Sequence, residues 1–337
     1  MKIHRKIFFI LHTNLFQRWA HTTLMRIHLA MCTASCVLIC LSFYLVSCSA
    51  PNGMPEPDDT PTSGHVNVVI DESYTMLFDT EIYTFQSLYV NANVHAKYLP
   101  ENEALNALMI DSAKVAVIDR PLTVEERKQF ETKNLFPIET KIAEDAVAFV
   151  VNADNLDTLI NYEQMLRILA GTDTSWKQVN ANSTGSGIRI IFDNPNSANA
   201  RYITKLSKAT TLPKNAFAVK SNTEVIDYVN KNRNAIGVVS VNWISDRDDS
   251  LSRGFLKKVK VMAVRKTEGE KYVKPYQAYI KTKDYPFCRD VYMINRQTRA
   301  GLGMGFVSFV AGEKGQRIIL KMGLVPAIAP TRMVEIH

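Results

Sequence analysis

The sequence predicts an α/β protein of two lobes, and three observations carry that expectation. Apolar runs of strand length, such as HVNVVID (65–71), KVAVID (114–119), AVAFVV (146–151) and IGVVSV (236–241), are bounded by polar turns. Between them, apolar residues recur every three or four positions, as a helix with one inward face requires. At 337 residues, with 46% hydrophobic and 22% charged content, the chain is long enough for one large or two medium α/β domains.

In order, 65–71 reads as a strand. Phe78, Ile82, Phe85 and Tyr89 then mark one helix face. Val94–Leu99 reads as a strand, Glu101–Asp111 as a helix with Ala104, Leu105, Leu108 and Met109 inward, and Lys114–Asp119 as a buried strand. Thr123 with Glu126 forms a capping box that opens a helix to about Asn134. This β-α-β-α-β-α order predicts parallel first strands. Ala146–Val151 is a further buried strand, Asn161 caps a helix that Gly171 ends, Ile188–Phe192 is a strand, and Ala198–Lys208 a helix. Thr223 is expected to cap a helix to about Asn232. Strands follow at Ile236–Val241, Val259–Val264 and Val291–Asn295, then one long helix from Phe306 to Met322, closed by Gly323.

The formal charge of +7 is concentrated in a leader: residues 1–48 hold Lys2, Arg5, Lys6, Arg18 and Arg26 and no acid. The remaining 35 basic and 33 acidic residues nearly balance, with no dense basic stripe, so a nucleic-acid partner is not expected. The basic run Arg253–Lys260 reads as a solvated strand face. Four of five Cys and four of seven His also fall in the leader. Cys288, His65, His95 and His337 have no metal-ligand spacing, so neither a metal nor a cofactor is expected. No nucleophile–base pair, G-x-x-x-x-G-K-[ST] or G-x-S-x-G motif is present, and an enzyme is not expected.

Residues 29–47 form an uncharged apolar run that ends in Leu45-Val46-Ser47-Cys48, the form of a bacterial lipobox. Residues 1–48 are therefore expected to be a lipoprotein signal, with Cys48 lipidated and Met25 the true initiator. The segment 49–64, with four Pro, is expected to be a flexible linker.

In open α/β sheets, ligands sit at the carboxyl ends of strands, against helix N-termini. Three turns qualify: Asp71–Tyr74, Ile118–Thr123, and Phe192–Asn199 ahead of Arg201. The candidate ligand-binding residues are Ser73, Asp119, Arg120, Asp193, Asn196, Ser197 and Arg201.

Several ordered segments resemble the phosphate-binding proteins of ABC importers (PstS-like). They are AVAFVVN (146–152), YEQMLRILAG (162–171) with Trp176, IGVV (236–239), Gly315-Gln316, and KMGLVP (321–326). The resemblance runs over about 66–328. It implies a type II periplasmic-binding fold, two α/β lobes joined by two crossing segments with a ligand cleft between them. The lobes would be 65–145 with 257–330, and 146–256, with crossings near 144–150 and 256–264. It further implies a small oxyanion, phosphate, as ligand, ABC permease subunits as partners, and a membrane anchor on the periplasmic or extracytoplasmic face.

By the same resemblance Asp119 matches the family Asp that accepts the proton of hydrogen phosphate, and Ser197 and Asp193 match its D-G-S-G-T loop. The sequence departs from that pattern at Ile191, where the family has Arg, and at Glu101, where it has a Ser-Gly turn. A carboxylate there would repel a dianion unless Arg120 or Arg201 compensates. A second reading, an anchored sensor of the same fold with another ligand, stays open.

Overall fold

The computed structural model describes residues 59–208, 211–245, 250–297 and 300–330. The leader, the lipobox and Cys48 lie outside the described residues.

The organising element is β4, Ile138–Asn152, a fifteen-residue strand that serves two sheets. Its first part pairs antiparallel with β11 (Cys288–Asn295), as far as Ala146. From Val147 onward its partners are β8 (Ala235–Ser240) and β9 (Val259–Val261), also antiparallel. On the first side the order continues through β3 (Val115–Ile118) to β1 (Gly64–Asp71) and β2 (Ala92–Leu99). On the second it continues to β6 (Arg189–Phe192) and β7 (Ala216–Ala218). β1 pairs in parallel with both β2 and β3, as the alternation of elements requires.

Helices cover both parts. In the first they are α1 (Thr75–Leu88), α2 (Glu101–Met109) and α3 (Val124–Glu131). The middle of the chain adds β5 (Leu159–Asn161), α4 (Tyr162–Leu169), α5 (Trp176–Val179), α6 (Ala198–Leu206), α7 (Asn222–Lys231), α8 (Asn242–Ser245) and α9 (Ser250–Lys258). Then come β10 (Ala263–Arg265), α10 (Gln277–Lys281), α11 (Leu302–Ala311), α12 (Glu313–Lys321) and β12 (Val325–Pro326). The apolar stripe read on α1 is its packing face: Phe78, Ile82 and Phe85 are buried, and Phe85 meets Phe306 edge-on at 5.3 Å. The Thr123–Glu126 capping box is present, and Gly171 and Gly323 close their helices at φ 74° and 86°.

Five expectations change. The long helix 306–322 is two helices broken at Gly312, whose ψ of 175° leaves the helical region. The cap of α7 is Ser221, not Thr223; its hydroxyl accepts from the Glu224 N–H at 3.2 Å. Arg253, Lys257 and Lys258 lie on α9 rather than on a strand face. The end of the linker is docked: Thr60 bridges to Ser63, and the Asp59 carboxylate accepts from the Leu302 N–H at 2.8 Å at the start of α11.

The fifth change concerns the return crossing. β9 pairs with the far part of β4, so residues 259–261 stay with the second sheet, and β10 pairs with β5 in a separate two-stranded sheet. The chain rejoins the first sheet at Phe287–Cys288, where the Phe287 carbonyl accepts from the Val147 N–H at 2.9 Å. On these pairings the return crossing is better drawn there than at 256–264.

Strand direction fixes where polar groups gather. β1 and β3 run parallel to β4, while β6 and β8 run against it. The carboxyl ends of all four therefore point toward the middle of β4, around Asp145–Val147.

Candidate functional site

Asp145 and Arg289 are neighbours across β4 and β11, and both are buried. The Arg289 Nε donates to Asp145 Oδ2 at 2.9 Å, and its Nη1 to Asp119 Oδ2 at 2.9 Å. Asp145 also accepts from the Ser240 hydroxyl at 2.9 Å and from the Tyr74 hydroxyl at 3.3 Å. The Tyr74 ring lies under the Arg289 guanidinium at 5.6 Å. One arginine thus ties together the ends of β3 and β8 and the turn after β1. Burial pulls the Arg289 pKa down, but Tyr74, Asp145 and Asp119 outweigh it and hold the guanidinium charged, above its ordinary value.

Asp119 sits just past β3, as the sequence placed it. Its other oxygen, Oδ1, is taken by Arg201, which reaches across from the first turn of α6. Arg201 also contacts Glu101, the first residue of α2, and Arg120 contacts Glu101 at 2.6 Å. Arg120 is otherwise committed to Glu126, through Nη1 at 2.7 Å and Nη2 at 2.8 Å. The carboxylate that sequence reasoning feared would repel an anion is therefore flanked by two guanidinium groups. Burial, with Asp119 nearby, pushes Glu101 up to about 8, and Arg201 and Arg120 oppose the rise.

The turn after β6 behaves as a helix cap with an acid beneath it. Ser197 is buried and accepts from the Ala200 N–H at 3.2 Å. Asp193 is buried and accepts from the Asn222 amide at 3.1 Å. Burial raises its pKa, opposed by the Ser197 hydroxyl and Asn222. Asn196 does not join this group: it is exposed, and its backbone N–H closes an Asx turn on Asn194 at 2.8 Å. In the turn after β1, Asp71 accepts from the Ser73 N–H at 2.9 Å, and Trp243 donates to the Ser73 carbonyl at 2.9 Å.

Of the seven sequence candidates, Ser73, Asp119, Asp193, Ser197 and Arg201 belong to this buried cluster. Arg120 serves it through Glu101, and Asn196 stands apart.

The cluster has more buried polar atoms than partners for them. Asp71 Oδ2, Ser73 Oγ, Asp193 Oδ1, Arg289 Nη2 and both amide atoms of Asn199 and Asn242 are buried without a hydrogen-bond partner among the described residues. Each such atom costs about 1–3 kcal/mol if nothing fills the space beside it. Sequence reasoning missed Arg289, Asp145 and Asn242. Asn242 could have been found, because it follows β8 as Asp193 follows β6. Arg289 opens a strand inside an apolar stretch and carries no turn signature. A separate cavity of about 410 Å³, lined by Val241, Ile244, Leu256, Val259, Tyr276 and Leu320 among others, holds none of these orphaned atoms.

Two sheets sharing one long strand, with polar strand ends turned toward its middle, define a type II periplasmic-binding-protein fold. A family model for a PBP superfamily domain matches residues 55–314, and the chain belongs to that superfamily. Among named relatives, the phosphate-binding protein PstS of Staphylococcus saprophyticus is 27% identical over 205 residues. That match covers 58% of this chain and 60% of the relative, so it spans about three fifths of the relative's length. An ABC-type phosphate transport receptor from Vibrio cholerae superposes with a TM-score of 0.61 at 20% identity, covering 78% of this chain and 100% of that one. A phosphate ABC transporter substrate-binding protein fold from Clostridium perfringens, solved with bound phosphate, gives a TM-score of 0.66 at 18% identity over 79% and 100% of the two chains.

Proposed function

We propose that this protein is an extracytoplasmic solute-binding lipoprotein that holds phosphate or a phosphate-like oxyanion between its lobes and delivers it to an ABC permease. The observation that supports the reading most is the set of buried, unpartnered polar atoms at the strand ends, which includes a guanidinium nitrogen, a hydroxyl and two amides. Arg289 Nη2, Ser73 Oγ and the amides of Asn199 and Asn242 are donors suited to the oxygens of a small tetrahedral anion. The family arginine missing at Ile191 then has two substitutes, Arg289 and Arg201. The relatives' names carry phosphate and transport.

The test is calorimetry on protein stripped of bound anions. Micromolar or tighter phosphate binding that Ser73→Ala and Ser197→Ala both weaken is the expected result. No heat at millimolar phosphate would rule the ligand out and move the weight to a sensor with another ligand.

Anchoring at Cys48 is tested separately. Cys48→Ala should leave the chain unprocessed or released from membranes, and unchanged mass and partitioning would refute it. Among the described residues no helix is long and apolar enough to cross a membrane.

A further inference from the structure

We propose that the separate cavity of about 410 Å³ binds a small amphipathic anion, an aliphatic chain ending in one carboxylate. The inference does not depend on the oxyanion reading, because none of the unpartnered strand-end atoms lines this cavity.

The cavity is built by elements that belong to different parts of the fold. Val241 and Ile244 follow β8, Leu256 lies on α9, and Val259 and Val261 lie on β9. A further wall is the end of α12, with Leu320 and Gly323, and the segment Lys274–Gln277 that opens α10. Two contacts hold these pieces in place. Gln277 Nε2 donates to the Leu320 carbonyl at 2.6 Å and to the Leu324 carbonyl at 2.7 Å. Gly323, at φ 86°, lets the end of α12 close on Ser245, whose side chain fills the space a Cβ would need. The cavity is therefore preformed, and its volume falls within the roughly 300–1,000 Å³ of small-ligand pockets.

The lining selects the chemical class. Val241, Ile244 and Val259 are buried, whereas Leu256, Tyr276 and Leu320 remain 36%, 52% and 44% exposed. A hydrocarbon chain laid over these three removes their apolar surface from water. The charged groups all have one sign: Lys260, Lys274 and Lys321 line the cavity, and among the described residues no Asp or Glu does. Lys274 is exposed and makes no hydrogen bond or ion pair among the described residues, and Lys260 Nζ reaches the Asn155 carbonyl at 3.3 Å. The end of α12 does not oppose an anion there, because the Leu320 carbonyl already accepts from Gln277 and from the Gly323 N–H. A carboxylate head meets complementary charge, and an ammonium head would be repelled. An inorganic anion would leave the apolar surface uncovered, and a neutral hydrocarbon would leave the lysines unmatched.

The test is calorimetry on the full chain with hexanoate, octanoate and octyltrimethylammonium, for the native protein, Lys274→Glu and Leu320→Gln. Thermal unfolding of each variant serves as the control for folding. Octanoate should bind at one site, more tightly than hexanoate by about two- to fourfold for each added methylene. The ammonium should bind roughly tenfold or more weakly than octanoate. Both variants should weaken octanoate several-fold without a change in unfolding temperature, because both positions are exposed. No octanoate heat at millimolar concentration, or equal binding of octanoate and the ammonium, overturns the proposal. A loss in Leu320→Gln alone would mean an apolar site without charge recognition, and a loss in Lys274→Glu alone a surface ion pair; either overturns it. So does octanoate binding untouched by both variants. Complete displacement of octanoate by excess phosphate would place the carboxylate among the strand-end donors instead, and overturns the cavity assignment while leaving the oxyanion reading standing.

Discussion

Two buried glutamates in the same part of the molecule show what separates a binding site from a polar residue trapped in a core. Glu101 opens α2 at the strand ends and touches Arg120 and Arg201. Glu81 lies on the inner face of α1 beside Leu77, Phe78, Ile82 and Phe85, fully buried, and neither of its oxygens has a hydrogen-bond partner. Burial raises both, Glu101 to about 8 and Glu81 to about 9. Burial alone therefore marks nothing. At the strand ends, three arginines from separate segments counter the acids and leave specific donors open, whereas Glu81 has neither countercharge nor open donors beside it. The first arrangement has the countercharge and open donors that the proposed anion site requires. Glu81 is best understood as a carboxyl kept neutral by its surroundings.

The largest effect in this comparison belongs to Arg289. Replacing it with Met, which preserves most of its apolar stem, leaves Asp119 without one of its two partners and Asp145 without its countercharge. Breaking a buried pair in this way costs about 3–5 kcal/mol. Denaturant unfolding at neutral pH should show a loss of that size, together with loss of phosphate heat. A loss below ~1 kcal/mol would mean that Arg289 does not hold these buried acids together.

The two glutamates can be separated by pH. An acid whose folded pKa lies above its unfolded value binds more protons in the native state between the two values. Stability contributed by its neutral form is therefore present at low pH and lost as pH rises. For Glu81 the loss runs from about pH 4.5 to about 9, and for Glu101 from about 4.5 to about 8. Glu81→Gln should flatten the decline measured by denaturant midpoints from pH 5 to 9, and should leave phosphate affinity unchanged. Glu101→Gln should flatten it less, because Arg120 and Arg201 already offset its charge. It should also tighten phosphate binding at pH 9, where it removes a negative charge from the cluster. If Glu81→Gln alters affinity as much as Glu101→Gln does, the distinction between the two acids collapses.

Much of this was legible in the sequence, for reasons that can be assigned. Apolar runs located β1, β3 and β8, of which β3 and β8 are buried at every position, and the 3.6-residue period located α1, which buries one apolar face. The amino-terminal part of β4 was missed because Glu139, Lys141 and Glu144 break up the apolar pattern there, and only Ile142 and Ala143 of its first seven residues are buried. The break at Gly312 was missed because α11 and α12 pack as a pair and keep the apolar rhythm running through it. At the site, turn chemistry found Ser73, Asp119, Asp193 and Ser197, since strand-to-helix turns advertise themselves with short polar side chains. It could not find Arg289, because only the antiparallel register of β11 on β4 brings that residue beside Asp145. Nor could it show that Asp119 is taken from both sides, a fact that depends on side chains 82 and 170 residues away in sequence.

The smallest expected effect is the most discriminating, because it separates a structural hydroxyl from a ligand-binding one. Ser197 caps α6, its hydroxyl accepting from the Ala200 N–H at 3.2 Å. Removing such a cap as Ser197→Ala costs about 1 kcal/mol, whereas Ser197→Gly costs only a few tenths, because glycine suits the cap position. Both variants remove the same hydroxyl. If Ser197 serves only the helix, any change in phosphate affinity should follow stability, appearing in Ser197→Ala and nearly vanishing in Ser197→Gly. If its hydroxyl also meets the anion, the two variants should lose affinity to a similar degree despite their different stabilities, and Ser197→Thr, which keeps the hydroxyl, should recover most of it. Paired thermal unfolding and phosphate calorimetry on the three variants decide between these outcomes. A loss of affinity confined to Ser197→Ala would return Ser197 to the ordinary business of ending a helix.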